Sequence, residues 1–298
     1  ETPRHTTGIE GHVDLKRNHL WLDIAADSAN VSFLSSMLST FMSDVSGHAN
    51  GHLTIEGPMN ALDLEGALLA NAAFNLTSTN VDYRINDTIR FTPGCIHFND
   101  IVAMDRRGQK ATVNGSVTHD KLSNYSYQLD IKADNLLGIN TPYTGSESYY
   151  TTIYGTGSIT IAGREGMPLA INIQATPEEG SLFALNLTDQ DVASDAFITF
   201  RDRNAKPNHL AGIGIPSTPI QRRRTTPAAE STPLQLSIAA SITPDATLKL
   251  VMDPTVDDHI SAKGSGDLQI YINDDDISLF GTYTVNRGAY KLNLQDLI

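Results

Sequence analysis

Tyr125-Ser126-Tyr127-Gln128-Leu129-Asp130-Ile131-Lys132-Ala133 sets an apolar side chain at every odd position and a polar one at every even position. A strand sends successive side chains to opposite faces, so this stretch makes one greasy face and one wet face. The habit recurs. Leu169, Ile171 and Ile173 alternate with Ala170, Asn172 and Gln174; Leu234, Leu236, Ile238, Ala240 and Ile242 continue it, as do Leu248, Leu250 and Met252. Sheets of this kind bury one face and wet the other. Turn formers at Gly57-Pro58, Asn86-Asp87, Pro93-Gly94, Arg107-Gly108 and Asn273 to Asp276 divide the chain into roughly 16 to 20 short strands.

The pattern also repeats over a longer distance. Gly51-His52-Leu53-Thr54-Ile55-Glu56-Gly57 returns 106 residues later as Gly157-Ser158-Ile159-Thr160-Ile161-Ala162-Gly163. Leu22-Asp23-Ile24-Ala25-Ala26-Asp27 returns as Leu129-Asp130-Ile131-Lys132-Ala133-Asp134. A third copy matches Gly266 to Gly51, Gly281 to Gly66 and Asn286 to Asn71, each at an offset of 215. A chain that repeats in this way builds an extended, stacked architecture.

Composition removes several functions. The net charge of −13 repels phosphate backbones, so no nucleic-acid partner is expected. No run of 18 apolar residues is present, and Glu1 to Glu10 lack the basic and apolar regions of a signal peptide. The chain starts within its own pattern, as a fragment of a longer protein would. Cys95 is the only cysteine, which excludes an intrachain disulfide. Asn30, Asn75, Asn86, Asn114, Asn124 and Asn186 begin Asn-x-Ser/Thr triplets, and a chain this rich in Asn, Ser and Thr produces such triplets by chance.

Two segments depart from the β pattern. Val31, Leu34, Leu38, Phe41 and Val45 follow a helical stripe, which predicts a short amphipathic helix over about residues 31–46, packed on an apolar sheet face. Between residues 203 and 233, Pro207, Pro216, Pro219, Pro227, Pro233 and Arg222-Arg223-Arg224 cannot hold a ladder, which predicts a long loop or disordered insertion. The expected layout is β repeats over 1–202, the insertion, and a C-terminal β repeat over 234–298.

Catalytic motifs are missing. There is no Gly-x-Ser-x-Gly elbow and no phosphate-binding Gly-Lys-Ser/Thr. His48 and His52 flank a Gly-rich strand entry and share no helical face. Asp257-Asp258 and Asp274-Asp275-Asp276 lack the spacing of a calcium loop and read as acidic turns. Neither an enzyme nor a cofactor or metal is expected.

Gly264-Ser265-Gly266-Asp267-Leu268-Gln269-Ile270, followed by Leu279-Phe280-Gly281-Thr282-Tyr283-Thr284-Val285-Asn286-Arg287-Gly288-Ala289-Tyr290, resembles the C-terminal region of the TamB family of translocation and assembly module subunits. Ile242-Thr243-Pro244-Asp245-Ala246, Met252-Asp253-Pro254 and Asp134-Asn135-Leu136-Leu137 to Thr141-Pro142 are similar to it as well. The resemblance implies a periplasmic segment of a protein anchored in the inner membrane of a Gram-negative bacterium. It implies a partner of the TamA type, an outer-membrane barrel, or a lipoprotein. It also implies the fold: an all-β, elongated, curved, many-stranded sheet that forms an open apolar groove, a β-taco. The family's N-terminal anchor and the residues usually found after Leu297-Ile298 are absent from this sequence.

Parity of alternation then selects the groove floor. In the first unit it comprises Leu53, Ile55, Leu62, Leu64, Ala70, Ala72, Phe74 and Leu76; in the second, Leu129, Ile131, Ile159, Ile161, Leu169, Ile171 and Ile173. Leu236, Ile238, Leu248, Leu250, Leu268, Ile270, Ile272, Tyr290, Leu292 and Leu294 complete it. A strand of five to eight residues spans roughly 17 to 26 Å, about one lipid acyl chain, and stacking about 18 strands gives a trough on the order of 85 Å long. The leading expectation is a bridge-like carrier of phospholipid acyl chains. The alternatives are a scaffold or chaperone for outer-membrane barrel proteins, and a surface adhesin in which the same residues fill a closed sandwich.

Overall fold

The computed structural model describes residues 6–39, 41–145, 147, 149–187, 234–273 and 276–292. Among the described residues, fifteen strands hydrogen-bond into a single sheet. The first nine form an antiparallel meander: β1 (Thr6–Asp14), β2 (His19–Asn30), β3 (Met42–Pro58), β4 (Asp63–Leu76), β5 (Val81–Thr92), β6 (Cys95–Met104), β7 (Lys110–Asp120), β8 (Ser123–Thr141) and β9 (Tyr149–Arg164). After them come β10 (Leu169–Pro177), β11 (Leu182–Asn186), β12 (Leu234–Ile242), β13 (Thr247–Asp253), β14 (Asp258–Asn273) and β15 (Asp276–Lys291).

Polar side chains shape the turns. Asp14 accepts the backbone N–H groups of Lys16 and Arg17 at 3.0 and 3.1 Å, and Asn18 closes that hairpin at a φ of 53°. Asp105 accepts the N–H groups of Arg107 and Gln109 at 2.8 and 3.0 Å. Each carboxylate satisfies donors that the tight bend would otherwise leave unpaired.

The pairings of the later strands close into a six-strand ring, β9–β10–β12–β14–β13–β11. Register explains it. β10 and β11 lie in succession along the edge of β9 that β8 leaves free, with Pro177 opposite Gly155 and Leu182 opposite Thr152. β12 and β13 lie in succession along β14 in the same way. The two interrupted strands run parallel at one constant offset, Leu169 to Leu234 and Leu182 to Thr247, so their breaks are aligned. Pro177 and Pro244 supply no backbone donor there. Ser181 fills the gap: its hydroxyl accepts from Tyr154 N at 3.0 Å and donates to Tyr154 O at 2.9 Å, while its carbonyl accepts from Thr247 N at 2.9 Å.

Parallel neighbours require a long crossover. The proline- and arginine-rich segment expected over 203–233 lies outside the described residues.

Three expectations need correction. The helix over residues 31–46 is a single turn, α1 (Leu34–Met37), and Met42 to Val45 already belong to β3. The Ser35 hydroxyl accepts from Val45 N at 3.0 Å, so the segment bends back instead of continuing as a helix. The strands among the described residues are longer than expected, up to 19 residues in β8. Asn86-Asp87 makes no turn; it sits inside β5, where the pairing with β6 is irregular between Ile85 and Arg90. Gly57-Pro58 likewise ends β3, and the turn follows at 59–62.

Candidate functional site

The register brings the alternating residues together. Ile101, Val113, Ile131, Ile159, Ile173, Ile238, Ile270 and Leu279 stand opposite one another in a row that runs from β6 through β7, β8, β9, β10, β12 and β14 to β15. A second row runs Gly115, Leu129, Ile161, Ile171, Leu236 and Ile272. Towards the start of the chain, Ile9, Ile24, Leu53, Gly66, Phe91, Ile96, Val117, Tyr127 and Gly163 connect β1 to β9. Paired residues project to the same side, so these rows form one apolar face.

Apart from Leu62, Leu292 and Leu294, the residues chosen by parity fall on this face. Ile55 opposes Leu64, and Ala70, Ala72, Phe74 and Leu76 follow along β4. Leu169 opposes Leu234, and Leu268 opposes Ala240. Leu248 opposes Ala262, Leu250 opposes Ile260, and Ile260 opposes Tyr290. Leu62 precedes β4, Leu292 follows β15, and Leu294 lies outside the described residues. Leu22 and Ile24 of β2 and Val113 and Val117 of β7 share the same face and are missing from the floor selected from the sequence.

Ile131, Ile159, Ile173, Ile238 and Ile270 are half-buried, while Lys132, Asn172, Gln174 and Gln269 on the other face are exposed. All the described strands belong to one sheet, so any cover over the apolar face comes from that sheet itself. A Cβ added at Gly51 or Gly66 would lie 2.2 Å from the carbonyl oxygen of Ala67 or His52, and both residues have φ above 140°. Only glycine permits so close an approach of neighbouring backbone.

One stretch of the face is sealed. At the end where β4 turns into β5, Val81, Tyr83, Ala111, Leu136 and Leu137 form a buried cluster with Phe74, Leu76, Ile131 and Ala133 packed against it. Tyr83 Oη donates to Leu137 O at 2.7 Å, and Leu137 N donates to the buried carboxylate of Asp105 at 2.9 Å. Asn140 N reaches Thr79 O at 2.9 Å. Burial, and then the neighbouring Asp105, push the Tyr83 phenol well above its ordinary value. The face is closed at this end, where β8 folds over to meet β5. Val31, Val45, Ala49 and Ala72 make a second small core beside it, under α1.

Among the described residues no histidine, cysteine, aspartate and glutamate cluster has the composition of a metal site. Asp257 instead binds Lys249 at 3.0 Å and Lys291 at 2.6 Å. No helix among the described residues is long and apolar enough to cross a membrane.

Comparison with curated proteins and with solved structures found no match. The family profile of the TamB C-terminal domain matches residues 99–297, which include β7 to β15 and both interrupted strands. That span is about two thirds of the sequence, and the chain therefore belongs to the TamB family, part of the translocation and assembly module for outer-membrane protein assembly and secretion.

Proposed function

We propose that this chain is a periplasmic segment of a bridge-like lipid-transfer protein whose apolar sheet face carries phospholipid acyl chains between the inner and outer membranes. The row from Val113 to Ile270 supports this reading: its half-buried apolar side chains continue from strand to strand. Each methylene moved from water onto such a surface contributes about 0.8 kcal/mol. Adjacent ladder positions about 4.8 Å apart offer nearly equivalent seats, so a tail can step along without a high barrier. The residues selected by parity line this path, the full-length protein is anchored in the inner membrane, and an outer-membrane barrel of the TamA type receives the cargo.

The test places a carboxylate on the path. Ile161→Asp or Ile55→Asp should deplete the phospholipid that copurifies with the detergent-free protein, measured by lipid mass spectrometry. Lipid content equal to wild type in both variants would remove the basis for transfer.

A second reading has its own support. The outer edge of β15 is unpaired among the described residues, and Phe280, Val285 and Tyr290 are exposed along that strand. An unpaired edge accepts further strands through backbone hydrogen bonds. A scaffold or chaperone for outer-membrane barrel proteins would work this way. It predicts that Thr284→Pro impairs barrel assembly while Ile161→Asp does not.

A further inference from the structure

The repeat at an offset of 215 is carried through to the register of the sheet. In the first copy, Gly51, Leu53 and Ile55 of β3 pair with Leu68, Gly66 and Leu64 of β4. In the last, Gly266, Leu268 and Ile270 of β14 pair with Tyr283, Gly281 and Leu279 of β15. All six positions match at that one offset of 215, and five of the six residues are identical. Gly66 and Gly281 also share a positive φ, 146° and 128°, and a Cβ at either would collide with the carbonyl of His52 or Asp267 on the partner strand. His52 and Asp267 are themselves 215 apart. β14 and β15 are a second copy of the β3–β4 ladder.

The two copies differ at their far edge. β5 occupies that edge of β4, with Phe91 opposite Gly66, Ile89 opposite Leu68 and Asp87 opposite Ala70. Among the described residues nothing pairs with the same edge of β15. Exposure records the difference: Ala70 is 9% exposed and its counterpart Val285 is 52% exposed. Leu64 and Gly66 are half-buried, whereas Leu279 and Gly281 are exposed. A glycine leaves its place on the face bare, and an aromatic ring on the facing strand can lie over it. The occupied seat therefore specifies what the open one accepts.

We infer that the outer edge of β15 takes an antiparallel strand in the register that β5 holds on β4, an inference that rests on the scaffold reading above. The strand sets an aromatic residue opposite Gly281 and an apolar one opposite Tyr283, with polar residues between them. Backbone hydrogen bonds hold it, and the aromatic fixes its register. Its apolar side chains extend the apolar face by one strand, because Leu279, Gly281 and Tyr283 pair with Ile270, Leu268 and Gly266 of that face. A strand of an outer-membrane barrel has this pattern, alternating apolar and polar residues with aromatics near its ends. The occupant is such a strand, before its own barrel has closed.

The probe is a peptide of residues Val81–Thr92, the strand that fills the twin seat. Fluorescence anisotropy measures its binding to the intact chain, and hydrogen exchange locates it. The peptide should bind and protect the amides from Leu279 to Val285, leaving Thr6–Asp14 at the other edge of the sheet unchanged. Its Phe91→Ala version should bind about fivefold more weakly, and a scrambled peptide should not bind. A peptide copied from an outer-membrane barrel strand, with its aromatic at the same position, should compete. No binding, equal binding of the Phe91→Ala peptide, no competition, or protection confined to β1 or β4 overturns the assignment. So does a mass of two chains by light scattering with β15 already protected, which would make the occupant a second copy. If the peptide binds as expected but Thr284→Pro leaves barrel assembly intact, the scaffold reading falls and the edge specificity stands. If Thr284→Pro impairs assembly and the peptide does not bind, the scaffold stands and this register falls.

Discussion

The phenol of Tyr83 on β5 donates a 2.7 Å hydrogen bond to the carbonyl of Leu137 on β8, although β6 and β7 lie between these strands in the sheet. This bond, with Asn140 N to Thr79 O, holds the sheet folded onto itself at one end. Tyr83→Phe leaves the Leu137 carbonyl buried without that donor, which costs about 1–3 kcal/mol. The melting temperature should fall by roughly 2–4 °C per kcal/mol in a domain of this size. Calorimetry showing no change would mean that the fold-back contributes nothing to stability.

Glycines of the sheet should differ sharply in tolerance. An added Cβ at Gly66 meets the His52 carbonyl oxygen at 2.2 Å, and φ there is 146°; at Gly8 the nearest atoms are 3.9 Å away. Gly66→Ala should therefore destabilise by well over about 1 kcal/mol, and Gly8→Ala by less than about 0.5. Chemical denaturation of the two variants makes the comparison. Equal midpoints would contradict the close strand approach.

Acid should loosen the junction of β13, β14 and β15. Hydrogen bonds from Lys291 and then Lys249 hold the Asp257 carboxyl well below its ordinary value of 3.8. A depressed value stabilises the folded state fully above the unfolded pKa and loses that contribution as pH falls through the folded one. The wild-type advantage in melting temperature over Asp257→Asn should thus be constant from pH 7 to 5 and shrink below about pH 4. A gap that stays constant down to pH 2 would refute the linkage.

The alternation at Tyr125 to Ala133 was legible because period two assigns faces whatever the partner strand is. That is why residues picked by parity, from Leu53 to Tyr290, share one side of the sheet. The repeat was legible too: Leu22–Asp27 lies in β2 and Leu129–Asp134 in β8, six strands later. The stripe from Val31 to Val45 misled because its end members do meet in one small core, but by chain reversal and not along a helix. Asn86-Asp87 misled because a strand irregularity tolerates turn formers. The sealed end depends on Tyr83 meeting Leu137 across 54 residues, and no local pattern encodes such a contact. Nor does any local signal mark the change from antiparallel to parallel pairing.

That change is the part of the topology most open to direct test. Asn172 on β10 and Ser237 on β12 are ladder partners on the polar face. In a Cys95→Ser background, Asn172→Cys with Ser237→Cys should form a disulfide under mild oxidation, whereas Asn172→Cys with Ala239→Cys should form far less. Closing a loop of about 65 residues restricts the unfolded chain by about 4 kcal/mol in the chain-entropy account. The oxidised protein should accordingly melt higher than the reduced one. Parallel pairs offer less ideal disulfide geometry, so yield is judged against the offset pair and not against completeness. Preference for the Ala239 partner would shift the register by two residues, and no crosslink in either variant would separate β10 from β12 altogether. Either result would break the row from Ile173 to Ile238, and with it the continuity of the apolar face between the two parts of the chain.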